Sequence, residues 1–236
     1  VPRSGEGYVL AYAGAVCLAA SALLAGASAG LRARQERMSE LDRRFNVLKA
    51  LGAAVTDGRG RRLPAAQVNA LYAHSVREVW FDPAAGTVTT SAPAAGSPAL
   101  PVFQWIEDGR PARHAFPVSG KGLWSTIYGY LALDATLSEI VGLTFYRHGE
   151  TPGLGGEIEQ PWFQEQFRGR RIRDGDHLRP IVIAKGAASP GAADDASRVV
   201  VDGISGATLT GRGVMSFLNR SLEAYAPYLR AMGKGG

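Results

Sequence analysis

The chain of 236 residues has one cysteine, Cys17. That excludes an intrachain disulfide framework and any metal site built on cysteines. Its four histidines, His74, His114, His148 and His177, lack the spacing of a metal motif. No metal site is expected. Charged residues make up 20% and hydrophobic residues 46%, which excludes a disordered chain. A net charge of +5 raises the question of nucleic acid. The basic residues are scattered or alternate with acids, as in "RARQERMSELDRR". No basic and aromatic module of a nucleic-acid binder stands out, so no such partner is expected. GxGxxG and the P-loop are absent. Neither a Ser-His-Asp set nor a paired carboxylate site has supporting context, so no catalytic acid, base or nucleophile is expected.

Charge itself is missing from Tyr8 to Leu31, "YVLAYAGAVCLAASALLAGASAGL". As a helix this segment is roughly 36 Å long, enough to cross a hydrocarbon layer. A secretory signal with its cleavage site at Ala27-Ser28-Ala29 would have a shorter apolar region. A lipoprotein anchor at Cys17 is disfavoured by the bulk of Val16. The expectation is a single membrane span in contact with lipid. Gly14, Ser21, Gly26, Ser28 and Gly30 are small, and Gly26-x-x-x-Gly30 is a close-packing motif for a second helix. Arg3 precedes the span, whereas Arg32, Arg34, Arg37, Arg43 and Arg44 follow it among Glu36, Glu40 and Asp42. The positive-inside rule alone would place the large domain in the cytoplasm.

Beyond the span, Leu31 to Leu51 reads as a charged helix continuing outward as a stalk. Val68 to His74 reads as a short helix. Strands are expected at 76–81, 87–91, 101–106, 114–118, 123–133, 139–146, 179–184 and 197–201, punctuated by Gly, Pro and Asp. "TSAPAAGSPALP" and "AASPGAADDAS" read as loops, and "QPWFQEQFRG" as a short helix. From about Thr210, Val214, Phe217, Leu218, Leu222, Tyr225 and Leu229 recur every three or four residues, the stripe of an amphipathic helix. The fold class is therefore α+β: one transmembrane helix, then one mixed α/β domain with an antiparallel or mixed sheet. The expected divisions are 1–31 for the N-terminal segment and span, 32–62 for the stalk, and 63–236 for the domain.

Three stretches invite a chemical reading. "VDGISGATLT" (201–210) puts Ser205, Thr208 and Thr210 beside Gly203 and Gly206 at a strand-to-helix turn. A hydroxyl there can cap the helix, or the turn can hold a phosphate, since its free N–H groups and the helix dipole favour an anion. Spacing leaves both readings open, and leaves open which threonine would carry a phosphate. "HGETPGLGGE" (148–157) has four glycines, which let backbone amides approach a ligand or simply make a tight turn. "SGKGLWSTIYGY" (119–130) combines glycines with Trp124 and two tyrosines.

Taken in order, "GKGLWSTIYGYLAL", "GLTFYRHGETPGLGGEI" and "DGISGATLTGRGV" resemble the C subunit of the sodium-translocating NADH:quinone reductase of bacterial membranes. The juxtamembrane "LRARQERMSELDRRFNVLKALG" fits the same subunit. SGAT is the covalent-flavin signature of the wider FMN-binding group. "GLWSTIYG" favours this subunit over its relative, the G subunit of the Rnf electron-transport complex. The resemblance implies one FMN, bonded through its phosphate to the last threonine of SGAT, Thr208. Gly206 and Ala207 would leave room for the phosphate, and Ser205 would help hold it. Asp202 would help a flavin transferase place a metal ion. Glu150, Thr151, Gly153, Leu154 and Gly155 of ETPGLG, with Leu123 and Trp124, would lie at the cofactor. The implied activity is that of one component of the Na+-transporting NADH:ubiquinone reductase, passing electrons towards quinone. The implied partners are the A, B, D, E and F subunits, most directly B, D and E. The resemblance also places the protein in the inner membrane with its flavin domain on the periplasmic side, against the charge rule. The remaining alternative of a different class is a membrane-anchored scaffold without a cofactor, in which SGAT merely caps a helix.

Overall fold

The structure is a computed structural model describing residues 4–94, 96–188 and 197–233. The chain divides into two compact units, Val1–Arg43 and Arg44–Gly236. The first helix, α1 (Ser4–Ala50), runs unbroken through the expected span and the expected stalk. No proline interrupts it, so nothing stops the helix between them. Among the described residues it is the one helix long and apolar enough to cross a membrane, with a mean hydropathy of 2.0 in its best window. Leu10, Leu18, Leu23 and Leu24 are all exposed. Further along, Arg32 pairs with Glu36 at 2.9 Å and Arg43 with Glu40 at 2.8 Å, each within one helical turn. Arg3 lies outside the described residues, as does most of the expected loop at 187–197.

The second unit is built on a six-stranded antiparallel sheet. Its strands are β1 (Val76–Asp82), β2 (Thr87–Thr89), β3 (Leu100–Glu107), β4 (Arg110–Lys121), β5 (Thr126–Asp134) and β6 (Ile140–Arg147). They lie in the order β2-β1-β3-β4-β5-β6. The helix α2 (Ala65–Ser75) leads directly into β1 and packs against β1 and β3. After β6 come a 3-10 turn (Gly155–Glu159), the short α3 (Pro161–Gln164) and a second 3-10 turn (Glu165–Phe167), so the expected helix at 160–169 is split. A small hairpin, β7 (Arg173–Asp174) with β8 (His177–Leu178), follows. No strand is expected there from the sequence pattern, although Asp174-Gly175-Asp176 is a turn sequence of the kind that hairpins use. Finally β9 (Ile181–Ile183) pairs in parallel with β10 (Val199–Val201), and α4 (Thr208–Met232) closes the domain. The sheet is thus antiparallel, with a separate parallel pair beside it.

Side-chain alternation explains how α4 packs. Along β5, Ile127, Leu131 and Leu133 share the main core with Val102, Phe116, Phe145 and the α4 stripe Val214, Phe217, Leu218, Leu222 and Tyr225. Tyr130 and Ala132, of the other parity, are also buried, because the opposite face is covered as well. There α1 ends in the buried Val47, Leu48 and Ala50, followed by the buried Leu51, and a side chain on Gly142 would strike the Ala50 carbonyl. Arg113 on β4 donates to the Leu51 carbonyl at 2.6 Å, which satisfies one of the helix's terminal acceptors. At the far end of α4, Arg173 donates to the Leu229 carbonyl in the same way, at 2.6 Å.

A polar group is sealed inside this core. His114 Nδ1 lies 2.8 Å from the Tyr228 hydroxyl, to which Gln104 Nε2 also donates at 3.1 Å. With the amide donating to that oxygen, the hydroxyl is free to donate to a neutral His114. Burial pushes the His114 pKa down to about 4, and the Asp134 carboxylate offsets this in part. The unfolded chain therefore binds a proton that the folded chain refuses. The resulting stability is complete above about pH 6.5 and is lost as pH falls from there towards 4, an effect on the order of 3 kcal/mol. Chemical denaturation of the full chain in detergent should show its midpoint falling across that window, with a weaker slope in His114→Gln. An equal slope in both proteins would contradict the assignment.

Candidate functional site at the start of α4

The turn at 202–207 leaves β10 and delivers the chain into α4. Gly206 has φ +75°, a left-handed conformation that a side chain would strain. Ala207 stands at the N-cap position and offers no side-chain acceptor. The capping expected of a hydroxyl here is not realised. Ser205 is exposed, Thr208 half-buried and Thr210 buried.

The two threonines are in different situations. Thr210 is 1% exposed, and its hydroxyl donates to Glu150 Oε2 at 2.6 Å. Thr208 makes no side-chain hydrogen bond with another described residue and lines an open cavity of about 230 Å³. Gly203, Ala207, Gly211, Lys185 and Arg212 share that lining.

Glu150 gathers the site. Besides the Thr210 hydroxyl, its carboxylate accepts the backbone N–H groups of Leu123 (3.2 Å), Trp124 (3.0 Å) and Ser125 (3.2 Å). One buried side chain therefore ties the three chemically suggestive stretches together. Burial raises the pKa of Glu150, but the Thr210 hydroxyl and the three amides outweigh it, so the net displacement is downward. Glycines make the close approach possible. A Cβ on Gly122 would lie 2.6 Å from Glu150 Oε1, and one on Gly155 would lie 2.6 Å from the Thr210 hydroxyl. The anchoring also shortens a strand. The sequence suggests a strand from residue 123, but residues 122–125 turn to meet Glu150 and β5 begins at Thr126. His148 Nδ1 accepts the Glu150 N–H at 3.2 Å, which positions the same residue from its backbone side.

Around this clamp lies apolar surface that the protein does not cover. Leu123, Trp124 and Leu154 are 40%, 67% and 43% exposed. Leu154 sits on the turn itself, its Cδ2 2.9 Å from where a Cβ on Gly206 would be. Gly153 adopts φ +73° and the Thr151 carbonyl accepts the Leu154 and Gly156 amides, which gives ETPGLG its tight shape. Asp202 is exposed and faces a neighbouring loop, where its carboxylate accepts the Ala188 N–H at 2.7 Å. Among the described residues no cluster of His, Cys, Asp or Glu could hold a metal ion. An unengaged hydroxyl, small residues beside it and bare apolar side chains around the neighbouring clamp suit a ligand with a phosphate at one end and a flat ring at the other. FMN fits that description.

Comparison with known proteins agrees with this chemistry. The family model for the FMN-binding domain matches residues 122–223, which include two of the three stretches whole and the third from Gly122 onward. The C subunit of the Na(+)-translocating NADH-quinone reductase of Yersinia pestis is 32% identical over 99% of this chain and 96% of its own length. The chain belongs to the family of C subunits of these reductases. The Pseudomonas aeruginosa member is 31% identical over 93% of each protein. Among solved structures, the C subunit from Parabacteroides distasonis superposes with a TM-score of 0.70 at 28% identity, covering 84% of this chain and 96% of that one. NqrC of Shewanella oneidensis gives 0.62 at 26% identity, covering 84% and 99%.

Replacing the Glu150 carboxylate by an amide confronts the amide donors with a further donor. Glu150→Gln should cost the full chain about 2 kcal/mol of stability and speed proteolysis within 122–125. Because the folded-state pKa is depressed, the clamp's contribution persists at neutral pH and fades only as pH falls below the ordinary carboxylate value of 4.5. Unchanged stability and cleavage in the variant would show that the clamp holds nothing.

Proposed function

We propose that the protein is the flavin-carrying subunit of a Na+-translocating NADH-quinone reductase, with one FMN joined through its phosphate to the Thr208 hydroxyl. The observation that carries this reading is the difference between the two threonines. Thr210 is committed to Glu150, whereas Thr208 makes no side-chain hydrogen bond with another described residue and lines a cavity beside Gly203, Ala207 and Gly211. Membership of the family and the match to the FMN-binding domain support the cofactor.

FMN, when bound, supplies the electron transfer towards quinone. The chain supplies position and shelter. Thr208 tethers the carrier so that it cannot dissociate. Leu154, with Leu123 and Trp124, offers apolar cover that excludes water from the ring. Glu150 acts through others: it holds the 122–125 turn and Thr210 where the cofactor needs them. Ser205 and Asp202 serve the modification, Ser205 near the phosphate and Asp202 towards the enzyme that attaches the flavin. The exposed apolar part of α1 anchors the protein, and its Gly26/Gly30 face meets membrane helices of the other components of the complex, the B, D and E subunits foremost.

The flavin domain lies on the periplasmic side in this proposal. The charge rule argues otherwise, but the pairing of Arg32 with Glu36 and Arg43 with Glu40 weakens those arginines as a retention signal. Protease added to intact spheroplasts should digest the domain. Protection until lysis would reverse the orientation.

Co-expression with a flavin transferase should yield a fluorescent band that survives denaturing electrophoresis. Thr208→Ala should lose it. Thr210→Val should keep it while lowering stability by about 1 kcal/mol, the worth of one hydrogen bond. A band that persists in Thr208→Ala and disappears in Thr210→Val overturns the assignment, and no band in the unaltered protein overturns the cofactor.

A further inference from the structure

We infer that Lys185 and Arg212 form the seat for the phosphate of the attached FMN; the inference rests on the attachment proposed above. Both line the cavity that Thr208 opens into. Arg212 is four residues after Thr208 on α4, so the two side chains leave the same face of the helix. Lys185 comes from the opposite wall, just past the end of β9.

That wall is firmly placed. Asn219 on α4 clamps β9, accepting the Ile181 N–H and donating to the Ile181 carbonyl, each at 2.8 Å. The residues flanking Lys185 are tied to the chain that leads into SGAT. Ala184 donates to the Val201 carbonyl at 2.9 Å, and Gly203 donates to the Gly186 carbonyl at 2.7 Å. A side chain on Gly203 would strike the Ala184 carbonyl, so the approach of the two segments depends on that glycine. Lys185 is thus held across the cavity from Arg212 by backbone bonds on both sides.

The charges suit a phosphate joined to Thr208. Such a diester keeps one negative charge at every physiological pH. Neither Lys185 nor Arg212 forms an ion pair with a described residue. The nearest acid in sequence to the turn, Asp202, has its carboxylate engaged by the Ala188 N–H. The remaining lining is small or apolar, with Gly203, Ile204, Ala207, Gly211 and Met215, and offers no other charge. Trp124, Leu123 and Leu154 bear no charge for a phosphate. The two ends of the cofactor therefore have separate partners, apolar for the ring and cationic for the phosphate.

The separation gives the test. Full-length Thr208→Val cannot form the bond, and its binding of FMN and riboflavin can be followed by flavin fluorescence. FMN should bind at least about 10-fold more tightly than riboflavin. Adding Lys185→Gln and Arg212→Gln should erase that preference and leave riboflavin's affinity unchanged. In the flavinylated protein, the same two substitutions should shift the phosphorus NMR resonance while the visible spectrum stays the same. The phosphorus measurement decides if both free flavins bind too weakly to measure. A preference for FMN that survives the double substitution, or an unmoved phosphorus resonance, overturns the phosphate seat and leaves Thr208 attachment standing. Failure of the unaltered chain to carry any flavin instead removes the underlying reading.

Discussion

A single buried carboxylate sets the geometry of the site. Glu150 receives a hydroxyl from the first turn of α4 and three amides from the turn before β5. Four donors make its ionised form the stable one in a place where burial alone would disfavour charge. Consequences spread outward from there. Thr210 is occupied, so its neighbour two positions earlier is the hydroxyl left at the opening. The 122–125 turn is pinned, so Leu123 and Trp124 stand on the surface rather than continuing a strand. The glycines at 122 and 155 are required by how closely the carboxylate and the Thr210 hydroxyl approach them.

The rest of the domain holds the two sides of this clamp at their separation. α4 lies on the sheet through Phe217, Tyr225 and Tyr228, which meet Phe145 and Phe116 in edge-on or tilted aromatic contacts. A side chain on Gly120 would strike Phe217, and one on Gly213 would strike the Lys121 carbonyl. These approaches bring the start of α4 against the end of β4 and the turn beyond it. The same helix, through Asn219, holds β9 and with it the wall that carries Lys185. Packing, ladder hydrogen bonds and the buried carboxylate thus converge on one turn of chain.

Much of this is legible in the residues. The α4 stripe, the six main strands and the charge-free span each have a periodicity or a length that physics reads directly. SGAT and ETPGLG point to a flavin through their resemblance to a known pattern, and the resemblance singles out Thr208. Contact at a distance is what the residues do not reveal. Nothing near Glu150 in the sequence signals a partner at Thr210, and spacing alone treats Thr208 and Thr210 as equals. Lys185 carries no signal for the same reason, since its place depends on the parallel pairing of β9 with β10, which are far apart in sequence. The hydroxyl cap expected at the turn fails because the chain puts Ala207, not a serine or threonine, at the N-cap.

The central claim is that the clamp reserves Thr210 for the fold and leaves Thr208 for the cofactor. Fragmentation mass spectrometry of the proteolytic peptide spanning residues 199–212, taken from full-length protein matured with a flavin transferase, tests it most directly. The account predicts the mass of FMN on Thr208, with Ser205 and Thr210 unmodified. Modification of Thr210, or of Ser205, would contradict it.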